Sequence, residues 1–133
     1  MVGILIIAHG DLGLSLIRCA THVMGAEQPH LQQVGVKRGD DPQRVMQAAQ
    51  AMLKQLDQGD GVLILSDIYG ATPCNAAGSL LVPGKVEGVA GVSLPMLVRA
   101  LCHRGEPLAD VVQRAISGGH EGVIDINKDP CHA

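Results

Sequence analysis

The sequence contains no phenylalanine and no tryptophan, and its only aromatic residue is Tyr69. Single-stranded nucleic acid is usually bound by stacking bases on aromatic rings, so this kind of binding is not expected. Positive charge is also scarce: 10 Lys and Arg residues stand against 13 Asp and Glu, for a net charge of -3. The chain therefore has no basic excess with which to bind nucleic acid or an anionic membrane.

Long apolar runs and paired cysteines are missing as well. The N-terminal apolar run, Ile4–Ala8, is far shorter than a membrane span, and no basic segment of a signal peptide precedes it. The sequence has neither C-x-x-C nor H-x-x-x-H spacing, so no metal site is predicted, and no cofactor is expected. These absences indicate a cytoplasmic protein with unpaired thiols, at Cys19, Cys74, Cys102 and Cys131.

The length and composition of the chain are suited to a domain with one packed core. Its 133 residues are 47% hydrophobic and 17% charged, which is typical of a globular domain and not of a disordered segment. No linker, repeat or low-complexity stretch interrupts it. We predict one domain over residues 1–127 and a polar tail over residues 128–133.

The hydrophobic pattern alternates between strands and helices. The predicted strands are Val2–Ala8, Leu31–Val36, Val62–Leu65, Val86–Val92 and a short last one, Gly122–Ile126. The predicted helices begin at about Leu12, at Pro42 behind an Asp cap, at Thr72-Pro73, at Ser93 to Pro95 and at Pro107. We expect the third helix to run to about Leu81 and the last to end at Gly118-Gly119. The alternation predicts an α/β fold: one doubly wound domain with a mostly parallel sheet and helices on both faces.

Candidate functional residues follow the predicted strands. Ligands bind beyond the carboxyl ends of parallel strands, and these ends share one edge of the sheet. His9-Gly10 follows the first strand, Asp67–Pro73 follows the third and Ser93 follows the fourth. A histidine and an aspartate are therefore expected at the same edge, each near the start of a helix.

A histidine in this position can act as a general base or can carry a group as a nucleophile. If Asp67 accepts one ring N–H of His9, the other ring nitrogen keeps a free lone pair. Backbone N–H groups near Gly10 and Gly70, together with the Thr72 hydroxyl, suit an anion. These parts fit a phosphohistidine site, because phosphoryl transfer depends mainly on positioning and charge.

Simpler roles also account for each residue taken singly. His9 can be a surface or capping histidine, and Asp67 can cap a turn. Thr72 is explained as part of a helix start, and Tyr69 as either a loop packing residue or a partner contact. Spacing alone leaves these interpretations open.

Three segments together resemble one family, the IIA component of the mannose-family bacterial sugar phosphotransferase system. Ala8-His9-Gly10 resembles the segment that holds the family's phosphorylated histidine. Ser66–Ala77 resembles its second motif, and Ala90–Leu97 resembles its third. The resemblance covers essentially the whole chain.

This resemblance implies a phosphotransferase that works as a phosphocarrier. His9 would accept a phosphoryl group from phospho-HPr and pass it to a IIB protein or domain for carbohydrate uptake, while Asp67 orients the ring. It also implies that four residues bind the phosphoryl group: Gly10, Gly70, Ala71 and Thr72. Two further residues, Tyr69 and Ser93, would contact the partner protein. Two positions depart from the family's pattern, since Ala71 stands where glycine is frequent and Ser93 where asparagine is common.

The resemblance further implies a homodimer. In the family the last strand is antiparallel and exchanged between subunits, and Gly122–Ile126 is the matching segment here. The sheet would then have four strands of its own plus this short C-terminal antiparallel strand. Contact with a membrane would be indirect, through permease components.

Two other functions stay open from the sequence. One is a regulatory sensor that uses the same His9 chemistry but reports its phosphorylation state to another protein and has no transport role. The other is the phosphocarrier subunit of dihydroxyacetone kinases, although the loop of that subunit after the third strand differs from Asp67–Pro73. Neither the sugar nor the existence of a separate IIB protein can be read from the chain.

Overall fold

The computed structural model describes residues 1–128. Within them, strands and helices alternate along the chain as the hydrophobic pattern predicts. The strands are β1 (Gly3–His9), β2 (Leu31–Val36), β3 (Val62–Ser66) and β4 (Val86–Ala90). The helices are α1 (Leu12–Met24), α2 (Pro42–Leu56), α3 (Thr72–Gly78), α4 (Leu94–Cys102) and α5 (Leu108–Glu121).

The four strands form one parallel sheet in the order β2-β1-β3-β4. The chain moves from β1 to one side to form β2, then returns to the other side of β1 to form β3. This reversal opens a crevice at the carboxyl ends of β1 and β3, which is where doubly wound sheets bind ligands. His9 is the last residue of β1, so it lies at this crevice.

Helices cover both faces of the sheet and produce two apolar cores. Alternate residues of β1 point to opposite faces, and Ile4 and Leu5 are both fully buried. One core contains Ile4, Ile6 and residues of α1, α4 and α5. The other contains Leu5, Ile7 and residues of α2 and α3. The predicted doubly wound α/β fold is confirmed, and the continuous apolar pattern of β1 is explained by burial on both sides.

Two of the predicted helix starts are present with their caps. The Asp41 carboxylate accepts a hydrogen bond from the Gln43 N–H at 3.0 Å, and the Ser93 hydroxyl accepts one from the Met96 N–H at 3.3 Å. Helix α3 differs, because Thr72 is its first helical residue and makes no capping bond. This helix also ends at Gly78 and not at Leu81, since the chain turns there toward β4.

The predicted end of the last helix at Gly118-Gly119 is wrong. Helix α5 continues to Glu121, and its glycines serve as contact points with α4. A Cβ placed on Gly118 would lie 2.6 Å from the Cβ of Arg99. The glycines let α5 approach α4 closely and do not interrupt α5.

The segment predicted as a last strand, Gly122–Ile126, pairs with no other strand within residues 1–128, so the predicted exchange with a second subunit stays a prediction. Residues 123–125 have no regular structure, and Val123, Ile124 and Ile126 are 85%, 54% and 62% exposed. Edge strand β4 has β3 on one side, and the chain supplies no strand for its other side within residues 1–128. Of the predicted tail, only Lys128 is described, so Cys131 and His132 lie outside the described residues.

Candidate functional site

The structure brings His9 and Asp67 into direct contact. Because β1 and β3 are neighbours, the residue at the end of β1 meets the residue that follows β3. The Nδ1 atom of His9 lies 2.7 Å from Oδ2 of Asp67, and the His9 backbone N–H donates to the same oxygen at 2.9 Å. The second oxygen, Oδ1, accepts from the backbone N–H of Ile68 at 2.9 Å.

These contacts fix which ring nitrogen is available for chemistry. An ionised carboxylate can only accept, so the proton of the neutral His9 ring resides on Nδ1 and the lone pair resides on Nε2. The His9 side chain is 50% exposed, whereas that of Asp67 is 9% exposed. A nucleophilic nitrogen therefore faces solvent, while its orienting carboxylate is protected beneath it.

The carboxylate of Asp67 is held in its charged form. Burial raises the pKa of Asp67, but the hydrogen bonds from the His9 backbone, the His9 ring and the Ile68 backbone outweigh this effect. The pKa consequently lies below its ordinary value of 3.8. Asp67 thus remains an acceptor for the ring proton across the physiological range.

Two glycines in left-handed conformations shape the loops beside His9. Gly10 and Gly70 have φ angles of +53° and +83°, and a Cβ on either residue would meet no atom within 4 Å. The Ala71 N–H is already bonded to the Ile68 carbonyl at 3.2 Å. Thr72 begins α3 at the same loop, and its hydroxyl makes no hydrogen bond within residues 1–128. The structure therefore gathers all four predicted phosphate-binding residues along this edge of the sheet.

The predicted partner contacts, Tyr69 and Ser93, differ in their surroundings. Tyr69 is 88% exposed, and Ile68 and Leu12 nearby are 60% and 42% exposed. We call these three residues the apolar rim of the site. Ser93 lies at the same edge, but its hydroxyl oxygen caps α4 as an acceptor.

Three residues that the sequence did not single out shape this site. Gly35 of β2 lies so close to Gly10 that a Cβ on it would overlap the Gly10 carbonyl oxygen. Within residues 1–128 the buried Ser66 hydroxyl has no hydrogen-bond partner, and the Asn75 amide donates to the Gly70 carbonyl at 3.4 Å. An isolated glycine within a strand was the available signal for Gly35.

The described part of the chain has neither a candidate metal site nor a helix that could span a membrane. No three His, Cys, Asp or Glu side chains there are grouped so that they could hold a metal ion. Likewise, none of the five helices within residues 1–128 is long and apolar enough to cross a membrane.

A doubly wound domain with a carboxylate-oriented histidine at its switch point can use that histidine as a general base or as the carrier of a group. Comparison with known families identifies the family: the sequence profile described as "PTS system fructose IIA component" matches residues 3–116. The chain belongs to this family of IIA components of the sugar phosphotransferase system.

Individual relatives agree with this assignment. The chain is 32% identical over 132 residues to the PTS system mannose-specific EIIAB component of Escherichia coli K12, covering 97% of this chain but 41% of that protein. It is also 32% identical over 105 residues to the fructose-specific EIIA component of Bacillus subtilis, covering 78% of this chain and 71% of that protein. The chain thus spans less than half the length of the E. coli relative.

Solved structures share the fold. The EIIA component from Streptococcus agalactiae superposes with a TM-score of 0.85 at 26% identity, covering 96% of this chain and 99% of that one. The mannose/sorbose-specific IIA subunit from Enterococcus faecalis gives a TM-score of 0.83 at 22% identity, covering 94% of each chain. The second likeness shows the fold alone.

Proposed function

We propose that this chain is a phosphocarrier that accepts a phosphoryl group on Nε2 of His9 from phospho-HPr and passes it to a IIB protein or domain for carbohydrate uptake. The observation that carries the proposal is the 2.7 Å contact between His9 Nδ1 and Asp67 Oδ2. This contact leaves Nε2 as the free nucleophile at an exposed edge of the sheet. Family membership supplies the class of donor and acceptor.

The bonds formed and broken in the transfer involve only the two histidines and the phosphoryl group, so no cofactor is needed. The lone pair of His9 Nε2 attacks phosphorus, the N–P bond of the donor histidine breaks, and its electron pair remains on the donor nitrogen. The proton on His9 Nδ1 stays in the hydrogen bond to Asp67, which stabilises the ring as it gains positive character. In the second transfer, the lone pair of the acceptor histidine attacks phosphorus, the bond between His9 Nε2 and phosphorus breaks, and free His9 is restored.

The surrounding residues take two supporting roles in this proposal. Gly10, Gly70, Ala71 and Thr72 surround the phosphoryl group in this proposal, and the Thr72 hydroxyl donates to its oxygens. The N–H groups of Gly10 and Ala71 already donate to backbone carbonyls, so these two residues line the site without donating to the phosphoryl group. Tyr69 contacts the partner protein as the most exposed member of the apolar rim. Ser93 contacts the partner through its O–H, which stays free to donate because its oxygen caps α4 as an acceptor.

The proposal includes a homodimer with an exchanged C-terminal strand and a cytoplasmic location, for which family membership is the support. Strand exchange is also favoured by the outer edge of β4, where residues 1–128 supply only the isolated bridge between Val82 and Val86, and by the exposed side chains of Val123, Ile124 and Ile126. A cleft of about 490 Å³ is lined by β3, β4 and α3, including Gly88 and Val89, and it extends to Tyr69 and Gly70 of the loop after β3. A partner subunit on β4 would cover the part of this cleft that β4 lines.

Intact-mass spectrometry under non-acidic conditions tests the proposed function. The chain is incubated with phosphoenolpyruvate, the first enzyme of the phosphoryl relay and HPr. We expect one added phosphoryl group in the wild type and none in His9→Ala. Labelling that persists in His9→Ala would contradict the assignment of the acceptor.

A second histidine provides the matched control. His22 is exposed on α1, away from the crevice, so His22→Ala should be labelled as the wild type is. Circular dichroism of both variants shows whether they are folded. A folded, fresh wild-type chain that takes no phosphoryl group in a working relay would overturn the proposed function.

A further inference from the structure

Two adjacent cationic residues, Lys37 and Arg38, follow β2 directly beside His9 and Gly10. His9 pairs with Val36, the last residue of β2, in the parallel register, and the Gly10 N–H donates to the Val36 carbonyl at 2.9 Å. Neighbouring strands lie about 4.8 Å apart, so the next residues of β2 leave the sheet within side-chain reach of the His9 crevice.

The turn that carries these cations is built by hydrogen bonds. The Asp40 carboxylate accepts from the backbone N–H of Lys37 at 2.7 Å, and the Asp40 N–H donates to the Lys37 carbonyl at 3.1 Å. Both cationic side chains are exposed, and neither has a carboxylate within 4 Å in the described part of the chain. Their charges are therefore available to another group.

The charges near His9 show why cations matter there. A phosphoryl group on Nε2 brings about two negative charges to a site that already holds the Asp67 carboxylate, with Asp11 exposed one loop away. Asp40 and Asp41 add negative charge on the β2 side, although their carboxylates are engaged with backbone N–H groups. Without compensation, this excess of negative charge would oppose the arrival of a phosphoryl group.

We propose that Lys37 and Arg38 form a cationic flank of the phosphoryl site that attracts the phosphoryl group to His9 during transfer. The inference rests on the proposed function and deepens it by naming residues that set the rate of phosphoryl acceptance. The flank acts through charge and needs no fixed contact. Its effect is consequently sensitive to salt, unlike the short-range contact between His9 and Asp67.

The test compares single-turnover transfer from phospho-HPr to the full chain in the wild type and in the double variant Lys37→Gln/Arg38→Gln. At about 0.02 M salt we expect the variant to accept the phosphoryl group roughly three- to tenfold more slowly, and at about 0.5 M salt we expect equal rates. The charge-conserving variant Lys37→Arg/Arg38→Lys should keep the wild-type rate under both conditions.

The matched control is Lys54→Gln, which removes an exposed cation from the last turn of α2, at the opposite edge of the sheet. Its rate should equal that of the wild type. A double variant that is as fast as Lys54→Gln at low salt would overturn the inference, as would one that is equally slow at low and high salt. If the wild type itself accepts no phosphoryl group, the proposed function fails and the cationic flank fails with it.

Discussion

At the scale of single residues, the Asp67 carboxylate is the point on which the site depends. Its two oxygens accept from three N–H groups, two of which belong to His9. The same oxygen that orients the ring therefore also anchors the backbone that carries the ring. This double attachment limits how far the imidazole can turn, so that Nε2 keeps one direction toward an incoming phosphoryl group.

Removal of this carboxylate should slow transfer without abolishing it. We expect Asp67→Ala to reduce the single-turnover rate from phospho-HPr about ten- to a hundredfold, the scale of losing a group that orients a reacting side chain. Rapid-quench measurement of labelled protein gives the rate, and circular dichroism checks the fold. An unchanged rate in a folded variant would show that Asp67 is only a turn residue.

The pKa of Asp67 also predicts a pH dependence of stability. Since the folded-state pKa lies below 3.8, Asp67 stabilises the folded chain fully above that value, and the contribution is lost as pH falls through the lower folded-state pKa. The free energy of unfolding in urea should therefore differ between wild type and Asp67→Asn at about pH 6 and differ less at about pH 3. The same difference at both values would contradict the hydrogen-bonded, charged state of Asp67.

The sequence could predict that His9 and Asp67 share an edge, because parallel strands end together. It could not predict which nitrogen of His9 faces Asp67, or that the His9 backbone bonds to the same oxygen, because both follow from the register of β1 against β3. The close approach of Gly35 to Gly10 likewise depends on the register of β1 against β2.

At the scale of elements, the seam between α4 and α5 shows how glycine is used in this fold. Gly118 and Gly122 lie against α4. The side chains of Arg99 and Pro95 occupy the space that a Cβ on either glycine would need. Helix α4 begins at the edge that contains the site, immediately after Ser93. The packing of α5 against α4 thus holds in place a helix that begins at the edge of the sheet that contains the site.

Adding one methyl group tests this seam. In Gly118→Ala, the new Cβ would lie 2.6 Å from the Arg99 Cβ, which cannot swing away as the end of a flexible side chain can. We expect a loss of about 1–3 kcal/mol in the free energy of unfolding, despite the better helix propensity of alanine. Thermal and urea unfolding measure this loss.

Gly105→Ala is the matched control, because a Cβ there would meet no atom within 4 Å and the residue has no positive φ. Its free energy of unfolding should change by less than about 0.5 kcal/mol. A Gly118→Ala variant as stable as the control would mean that the two helices can separate without cost.

The sequence pattern predicted elements well where burial and periodicity agree. The bounds of α1 and β2 match the expectation, since each is a clean periodic run between turn residues. The pattern was wrong for Gly118-Gly119, because glycine marks a helix end and a close helix contact equally well. The strand predicted at Gly122–Ile126 stays a prediction, since apolar residues indicate that a segment needs a partner but not that the partner lies in the same chain.

At the scale of the whole molecule, two features have no partner within residues 1–128. The outer edge of β4 has no strand beside it, and the apolar side chains of Val123 and Ile124 are exposed. Features of this kind on a single chain mark interfaces. A second copy that lends its C-terminal segment to β4 would bury them and add a fifth, antiparallel strand.

Light scattering at working concentration tests this arrangement. We expect the wild type to have twice the 13.8 kDa mass of one chain, and Val123→Asp/Ile124→Asp to shift toward one chain, because charge cannot enter an apolar strand interface without cost. Val23→Asp changes a comparably exposed apolar residue on α1 and should remain a dimer. A wild-type mass near that of a single chain would contradict strand exchange.

The most direct test of the central claim is the position of the phosphorus–nitrogen bond. Nitrogen-15 and phosphorus-31 NMR of the chain phosphorylated by phospho-HPr distinguishes the two ring nitrogens of each histidine. The geometry predicts a single phosphoryl group on Nε2 of His9, with Nδ1 still protonated and bonded to Asp67. A phosphoryl group on Nδ1 of His9, or on any other residue, would contradict this account of the site.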